Sequence, residues 1–186
     1  NWLKKTLSDR WHTELIPATQ EQISELERNA EFYSGVLQKQ YLPCYPKLEI
    51  SDKREGLDLQ PRKFYMLSLG ANQGYREWPV DYYAEIAKLI YKKTGWRGLI
   101  CGTEQERYLG EQLQNICDAP IKNYTGRTTL SELAWLLKKS QILISNETGT
   151  AHISSAVGTS TVCILGGGHF GRFVPYPDLP GQTNKI

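Results

Sequence analysis

The chain has 186 residues, enough for one well-buried domain with an additional segment but too few for two full-sized domains. Its 22 Lys and Arg residues nearly balance its 20 Asp and Glu residues, which leaves a net charge of +2. This balance argues against nucleic acid or a charged membrane surface as a partner held by a broad electrostatic field, so any anion site must be local.

Cysteine spacing and hydropathy indicate the redox environment of the protein and its contact with membranes. The four cysteines show neither a CxxC pair nor a Cys/His metal pattern, and Cys101 and Cys163 lie in apolar runs predicted to be strands. We therefore predict buried thiols, no bound metal and a reduced, cytoplasmic environment. Neither a membrane-spanning run nor a signal peptide is visible, so any membrane contact is expected to be peripheral.

The N-terminal third is predicted to be a helix followed by a connection. Thr19 and Gln22 match a capping box, and apolar residues recur at helical spacing over residues 19–37. The next segment mixes prolines with charges and has no period, as in a linker or a surface-hugging connection. We predict that residues 1–62 are an interdomain helix and linker, with the boundary at 59–62. Because the chain does not begin with Met, we expect its first residues to be the tail of a preceding domain.

From residue 63 onward, short apolar runs alternate with helical patterns. The runs FYMLSLG, RGLIC, IKNY, QILIS and TVCIL are separated by segments with helical spacing, the first of which begins at Pro79. This alternation predicts βαβ units and a mostly parallel sheet, and strands that are apolar throughout predict helices on both faces. Residues 63–186 are thus predicted to form a Rossmann-like α/β domain, although no GxGxxG motif follows the first strand.

The segment NETGTAH follows the fourth predicted strand, at the edge where open α/β sheets bind ligands. Asn146 or Thr148 can cap the next helix, whose first amides would be open to an anion, and Glu147 can accept a hydroxyl. The alternative is an ordinary cap in which Glu147 is favoured by the helix dipole. His152, one turn further on, either faces the same ligand position or is simply packed.

Two other loops at this edge carry candidate ligand groups. GANQGYREWP holds Arg76, whose guanidinium is either a clamp for a diphosphate or an ordinary surface group. In GTEQE, Thr103 and Glu106 fit a capping box, which explains Glu106 without a ligand. Thr129 and Glu132 fit another, and we assign them no function.

The loop GGGHFGRF follows the last predicted strand. Three successive glycines are a costly way to build a simple turn, so we expect a ligand to approach the backbone closely at Gly167 and Gly168. His169 and Arg172 come next and are candidates for contacts with phosphate or base, or are surface groups.

Together these loops, over roughly residues 63–177, resemble the donor-binding half of glycosyltransferase family 9, the ADP-heptose:lipopolysaccharide heptosyltransferase type. Their order and spacing carry the resemblance, since each motif alone is weak. The resemblance implies the C-terminal domain of a GT-B fold, which has two Rossmann-like domains facing a cleft. It also implies a nucleotide-sugar donor, with ADP-heptose as the best guess, and no cofactor.

The resemblance assigns donor contacts to residues in all four loops. Arg76 stands where the family usually has Lys, and Glu147 where it more often has Asp, while Glu106 is implied to hold the ribose hydroxyls. The full implied set is Asn72, Arg76, Glu106, Glu147, Thr148, Gly149, His152, Gly167 and Gly168.

The implied reaction is inverting and metal-independent. An acceptor hydroxyl, deprotonated by a carboxylate of the N-terminal domain, attacks the anomeric carbon while Arg76 and a helix N-terminus stabilise the departing diphosphate. We expect that base, and the site for a glycolipid or glycan acceptor at the inner membrane, to lie outside this chain, which alone would be inactive. The alternatives are a non-catalytic nucleotide-binding or partner-binding Rossmann module and a GT-B-like nucleotide-sugar epimerase.

Overall fold

A computed structural model describes residues 12–51, 63–183 and 186 of the chain. Its centre is a parallel five-stranded sheet in the order β3-β2-β1-β4-β5. The strands are β1 (Phe64–Ser68), β2 (Arg97–Cys101), β3 (Ile121–Asn123), β4 (Leu143–Asn146) and β5 (Thr161–Ile164). The predicted parallel Rossmann-like sheet is confirmed, and the carboxyl ends of its strands meet at one edge.

Five α-helices and three short 3₁₀ turns accompany the sheet in the described part of the chain. The helices are α1 (Glu25–Leu37), α2 (Val80–Thr94), α3 (Arg107–Ile116), α4 (Leu130–Lys139) and α5 (Gly149–Ala156). The 3₁₀ turns, Gly74–Arg76, Glu104–Glu106 and Gly167–His169, each follow a strand at the carboxyl edge. Among the described helices, none has the length and apolar character needed to cross a membrane.

Helices cover both faces of the sheet, as predicted from its apolar strands. Tyr65 and Leu67 of β1 pack on one side against α2 and α3, and Phe64 and Met66 pack on the other side against α4. Every residue of β1 is buried, because alternate side chains enter two different cores.

The first helix begins later than predicted. Ser24 and Glu27 form its capping box: the Glu27 amide donates to Ser24 Oγ over 3.3 Å, and the Ser24 amide donates to the Glu27 carboxylate over 2.9 Å. The predicted start at Thr19 was wrong because the Thr19 amide donates instead to Glu31 Oε1 over 2.7 Å. This bond folds the preceding segment back along the helix instead of extending it.

The segment between α1 and the sheet follows the surface of the domain over residues 43–51. The Leu48 amide donates to the carbonyl of Ala156 over 2.8 Å, and Lys138 Nζ donates to the carbonyl of Ile50 over 2.9 Å. Of the two alternatives raised for this segment, its described part is the surface-hugging connection. The boundary predicted at residues 59–62 lies outside the described residues, and the division of the chain at that point stays a prediction.

The four cysteines are free thiols, and three of them are buried or half-buried. Cys101 and Cys117 are buried, Cys163 is half-buried in β5, and burial raises the pKa of both strand thiols, Cys101 and Cys163, to about 12. The expectation of buried thiols was wrong for Cys44, which is exposed because it lies in the proline-rich surface connection.

Candidate functional site

Asn146, the last residue of β4, ties two loops of the carboxyl edge together. Its side chain is fully buried; Nδ2 donates to the carbonyl of Leu69 over 2.5 Å, and Oδ1 accepts from the Trp78 amide over 3.1 Å. Of the two caps proposed from the sequence, Asn146 is therefore not the one that precedes α5. It instead fixes the loop after β1, which carries Arg76, beside the end of β4.

The N-terminus of α5 lies at the same edge without a capping side chain. Thr148 occupies the cap position but makes no capping hydrogen bond, and its Oγ1 lies 3.5 Å from Ser145 Oγ. A Cβ built on Gly149, the first residue of the helix, would meet no atom within 4 Å. The first turn of α5 therefore has no side-chain cap and borders open space at Gly149, beside the positive end of the helix dipole.

Glu147 connects three loops through its carboxylate. Its side chain is only 7% exposed, and Oε2 accepts from Arg76 Nη2 over 2.6 Å. His169 Nδ1 lies 3.0 Å from Oε1 and 3.2 Å from Oε2, and 3.4 Å from Arg76 Nη2. The loops after β1, β4 and β5 thus meet at one charged cluster, Arg76, Glu147 and His169.

This geometry gives Glu147 a structural role besides the ligand contact predicted from the sequence. Since Arg76 and His169 both engage its carboxylate, Glu147 anchors the cluster, and its contact with a ligand hydroxyl stays a prediction. Arg76 uses only Nη2 for this contact, and its other guanidinium donors bond to no described residue. The rest of its planar fork can therefore bind an oxyanion while Nη2 stays on Glu147.

Glu106 lies at the end of β2, on the opposite side of β1 from Glu147. Its Oε2 accepts from Thr103 Oγ1 over 3.0 Å and from the Thr103 amide over 2.5 Å, so the predicted capping box is present. A side chain at Gly70 would collide with this carboxyl group, so glycine there allows the close approach. Oε1 accepts no hydrogen bond from a described residue, and it remains able to accept from a ligand.

The remaining predicted residues border open space. Asn72 is exposed in the loop after β1. Gly167 and Gly168 form a 3₁₀ turn in which an added Cβ would meet no atom within 4 Å. Packing within the described chain does not require glycine at either position, and their role in ligand approach stays a prediction.

His152 lies on α5, and its ring is held by Tyr176. Nδ1 is 2.8 Å from the Tyr176 hydroxyl, and burial lowers the pKa of the imidazole, an effect that Glu147 partly opposes.

In the described parts of the chain, no group of three or more His, Cys, Asp or Glu side chains is arranged to hold a metal ion.

The family follows from comparison with known proteins. The sequence model of "Glycosyltransferase family 9 (heptosyltransferase)" matches residues 7–183 of the chain. The chain belongs to this family. The family 9 membership predicted from the loop motifs is thereby confirmed.

Curated relatives of this family 9 chain are longer than it is. It is 26% identical over 120 residues to the lipopolysaccharide core heptosyltransferase OpsX of Haemophilus influenzae, a match covering 63% of this chain and 34% of the relative. It is 23% identical over 133 residues to lipopolysaccharide heptosyltransferase 2 of Salmonella typhimurium, covering 66% of this chain and 38% of that one. The matched region thus spans about a third of the length of these relatives.

Solved structures support the fold of this family 9 chain. A family 9 glycosyltransferase from Veillonella parvula superposes with a TM-score of 0.68 at 14% identity, covering 79% of this chain and 44% of that chain. E. coli heptosyltransferase WaaC with ADP gives a TM-score of 0.64 at 14% identity, covering 94% and 55% respectively. At this identity the likeness concerns the fold, and it agrees with the predicted half of a GT-B architecture.

Two contacts of the candidate site could not be predicted from the sequence alone. His169 was considered for phosphate or base, but its contact is with Glu147, on another loop. Tyr176 had no signal, because a tyrosine between two prolines is an unremarkable loop residue until the fold places it beside His152.

Proposed function

We propose that this chain is the donor-binding domain of a heptosyltransferase-like glycosyltransferase and binds an ADP-activated sugar at the carboxyl edge of its sheet. The observation that carries the proposal is the meeting of Arg76 with the uncapped N-terminus of α5 through Glu147. A guanidinium and free helix amides beside each other are suited to a diphosphate. Relatives solved "with ADP" and "with ADP-2-deoxy-2-fluoro heptose" are consistent with this chemistry.

The loops suggest an orientation for the donor. The diphosphate would lie over the first turn of α5, near Thr148 and Gly149, with the free donors of Arg76 on its oxygens. The ribose would then reach the other side of β1, where Glu106 Oε1 can accept from its hydroxyls. Asn72 would approach the phosphates from the loop after β1, and the open turn at Gly167–His169 would leave room for the sugar.

The proposed reaction is an inverting, metal-independent transfer. The acceptor oxygen forms a bond to the anomeric carbon as the bond from that carbon to the diphosphate oxygen breaks, and the diphosphate leaves with the electron pair. Arg76 and the α5 amides stabilise this growing negative charge. The base that takes the acceptor proton, and the acceptor, a glycolipid or glycan of lipopolysaccharide assembly, would belong to the parent enzyme, peripheral at the cytoplasmic side of the inner membrane.

Calorimetric titration of the chain with ADP, ADP-heptose, GDP-sugars and UDP-sugars tests the donor site. We expect binding of ADP and ADP-heptose, and a loss of about 10- to 100-fold in Arg76→Ala, because a charge-assisted hydrogen bond is removed. Arg97→Ala is the matched control, since Arg97 is exposed at the start of β2, at the opposite edge of the sheet.

Three outcomes would contradict this assignment. A folded chain that binds none of these ligands would exclude the donor site, and equal losses in Arg76→Ala and Arg97→Ala would exclude Arg76 as its anchor. Conversion of an ADP-sugar to an epimer by the parent enzyme without an acceptor would indicate the epimerase alternative.

A further inference from the structure

Three rings stack beside the N-terminal half of α5. The centroids of Tyr45 and Tyr176 are 5.7 Å apart with 22° between the ring planes, and those of Tyr176 and His152 are 5.8 Å apart with 21°. Tyr176 is therefore held between a residue of the surface connection and a residue of the proposed donor site. Such offset stacking fixes the plane of the imidazole.

The outer ring of the stack is anchored by its own hydroxyl. Tyr45 Oη donates to the carbonyl of Pro177 over 2.7 Å and accepts from the Leu179 amide over 3.2 Å. The Tyr45 amide also donates to Gln182 Oε1 over 2.9 Å. These bonds attach the connection to the loop that carries Tyr176, which leaves Tyr176 little freedom to turn away from His152.

The Tyr176 hydroxyl can donate a hydrogen bond to His152. Burial raises the pKa of this phenol to about 12, so it keeps its proton at neutral pH and can donate a hydrogen bond. His152 Nδ1 lies 2.8 Å from the phenolic oxygen, within reach of that proton. Since burial also lowers the pKa of His152, the ring is neutral at pH 7 and can accept at Nδ1.

We propose that Tyr176 is a positioning residue that holds His152 in the tautomer protonated at Nε2, so that this nitrogen donates a hydrogen bond to the diphosphate-sugar donor. Nε2 bonds to no described residue, and His152 follows Thr148 by one helical turn, on the side of α5 that begins at the proposed diphosphate position. This inference rests on the proposed function for the ligand, whereas the tautomer itself depends only on the contacts of Tyr176.

Nitrogen-15 NMR of histidine-labelled protein measures the tautomer directly. The chain has three histidines, and His152→Gln assigns the resonance of interest. We expect the Nε2–H form in the wild-type chain and a mixture of both tautomers in Tyr176→Phe, which keeps the ring stack but loses the hydroxyl. Tyr91→Phe removes an exposed hydroxyl on α2, outside the stack, and should leave the tautomer unchanged.

Titration with ADP-heptose completes the test. Tyr176→Phe should bind about three- to tenfold more weakly than the wild-type chain, as expected for the loss of one oriented hydrogen bond. Tyr91→Phe, which removes an exposed hydroxyl on α2, should bind like the wild type.

The outcomes separate this inference from the proposed function. A wild-type His152 protonated at Nδ1, or a Tyr176→Phe variant with unchanged tautomer and affinity, would overturn the role of Tyr176 even if ADP-heptose binds. An Nε2–H tautomer in a chain that binds no ADP-sugar would leave the contact of Tyr176 in place and overturn both the donor site and the ligand role of His152.

Discussion

Two glutamates at the same edge of the sheet, Glu106 after β2 and Glu147 after β4, are held in opposite ways. The carboxylate of Glu106 is bound by Thr103, three residues earlier in its own loop. The carboxylate of Glu147 is bound by Arg76 and His169, from two other loops. Residues of the same type at equivalent strand ends therefore have different structural roles. Glu106 stabilises a local turn, whereas Glu147 holds three loops of the edge together.

The difference also divides the work we propose for them. Glu106 keeps one oxygen without a described partner, and this oxygen can accept a hydrogen bond from a ligand. The oxygens of Glu147 contact Arg76 and His169, and they align the Arg76 guanidinium. The length of the glutamate side chain fits this second role, since it lets the carboxylate reach loops on both sides of β4.

The largest expected effect is on stability. Glu147→Ala leaves Arg76, which is 20% exposed, without its partner, so we expect a loss of about 1.5–3 kcal/mol in the free energy of unfolding. Glu106→Ala removes only the N3 member of a capping box and should cost about 0.5–1 kcal/mol. Urea unfolding followed by circular dichroism compares the two variants, and equal losses would show that Glu147 is no more a long-range anchor than Glu106 is.

A smaller effect is expected on ribose recognition. The wild-type chain should bind ADP about tenfold more tightly than 2′,3′-dideoxy-ADP, because the carboxylate of Glu106 accepts from the ribose hydroxyls. In Glu106→Ala the two ligands should bind alike, and in Arg76→Ala both should weaken while their ratio persists. A preserved ratio in Glu106→Ala would assign the ribose to other residues.

The smallest effect concerns the pH dependence of stability, and it arises on the Glu147 side of the site. Burial lowers the pKa of His152, on the helix that follows Glu147. The unfolded chain takes up a proton at His152 near pH 6.5, before the folded chain does, so the unfolded state binds more protons in this range. Stability should therefore fall as pH drops from about 7.5 to 5.5, and fall less in His152→Gln. If the urea unfolding midpoints of the wild-type chain and His152→Gln change with pH by the same amount, the lowered pKa of His152 is contradicted.

Much of the fold could be predicted because it depends on local patterns. The apolar runs ending at Gly70, Cys101 and Ser145 predicted strands, and helical spacing after Pro79 predicted α2. The predicted start of α1 was wrong because it depends on a contact that is not local. Thr19 and Ser24 both fit a capping box, and the choice between them depends on the contact of Thr19 with Glu31.

The sequence by itself determined the parallel α/β domain, the polar strand ends and the local capping boxes of Glu106 and Glu132, because these depend on periodicity and on residues three or four apart. Only the tertiary structure decided that Glu147 pairs with Arg76 and that Tyr176 holds His152. Those partners are far apart in the chain, and no local pattern specifies which of several loops at one sheet edge will place its side chain within hydrogen-bonding distance of another.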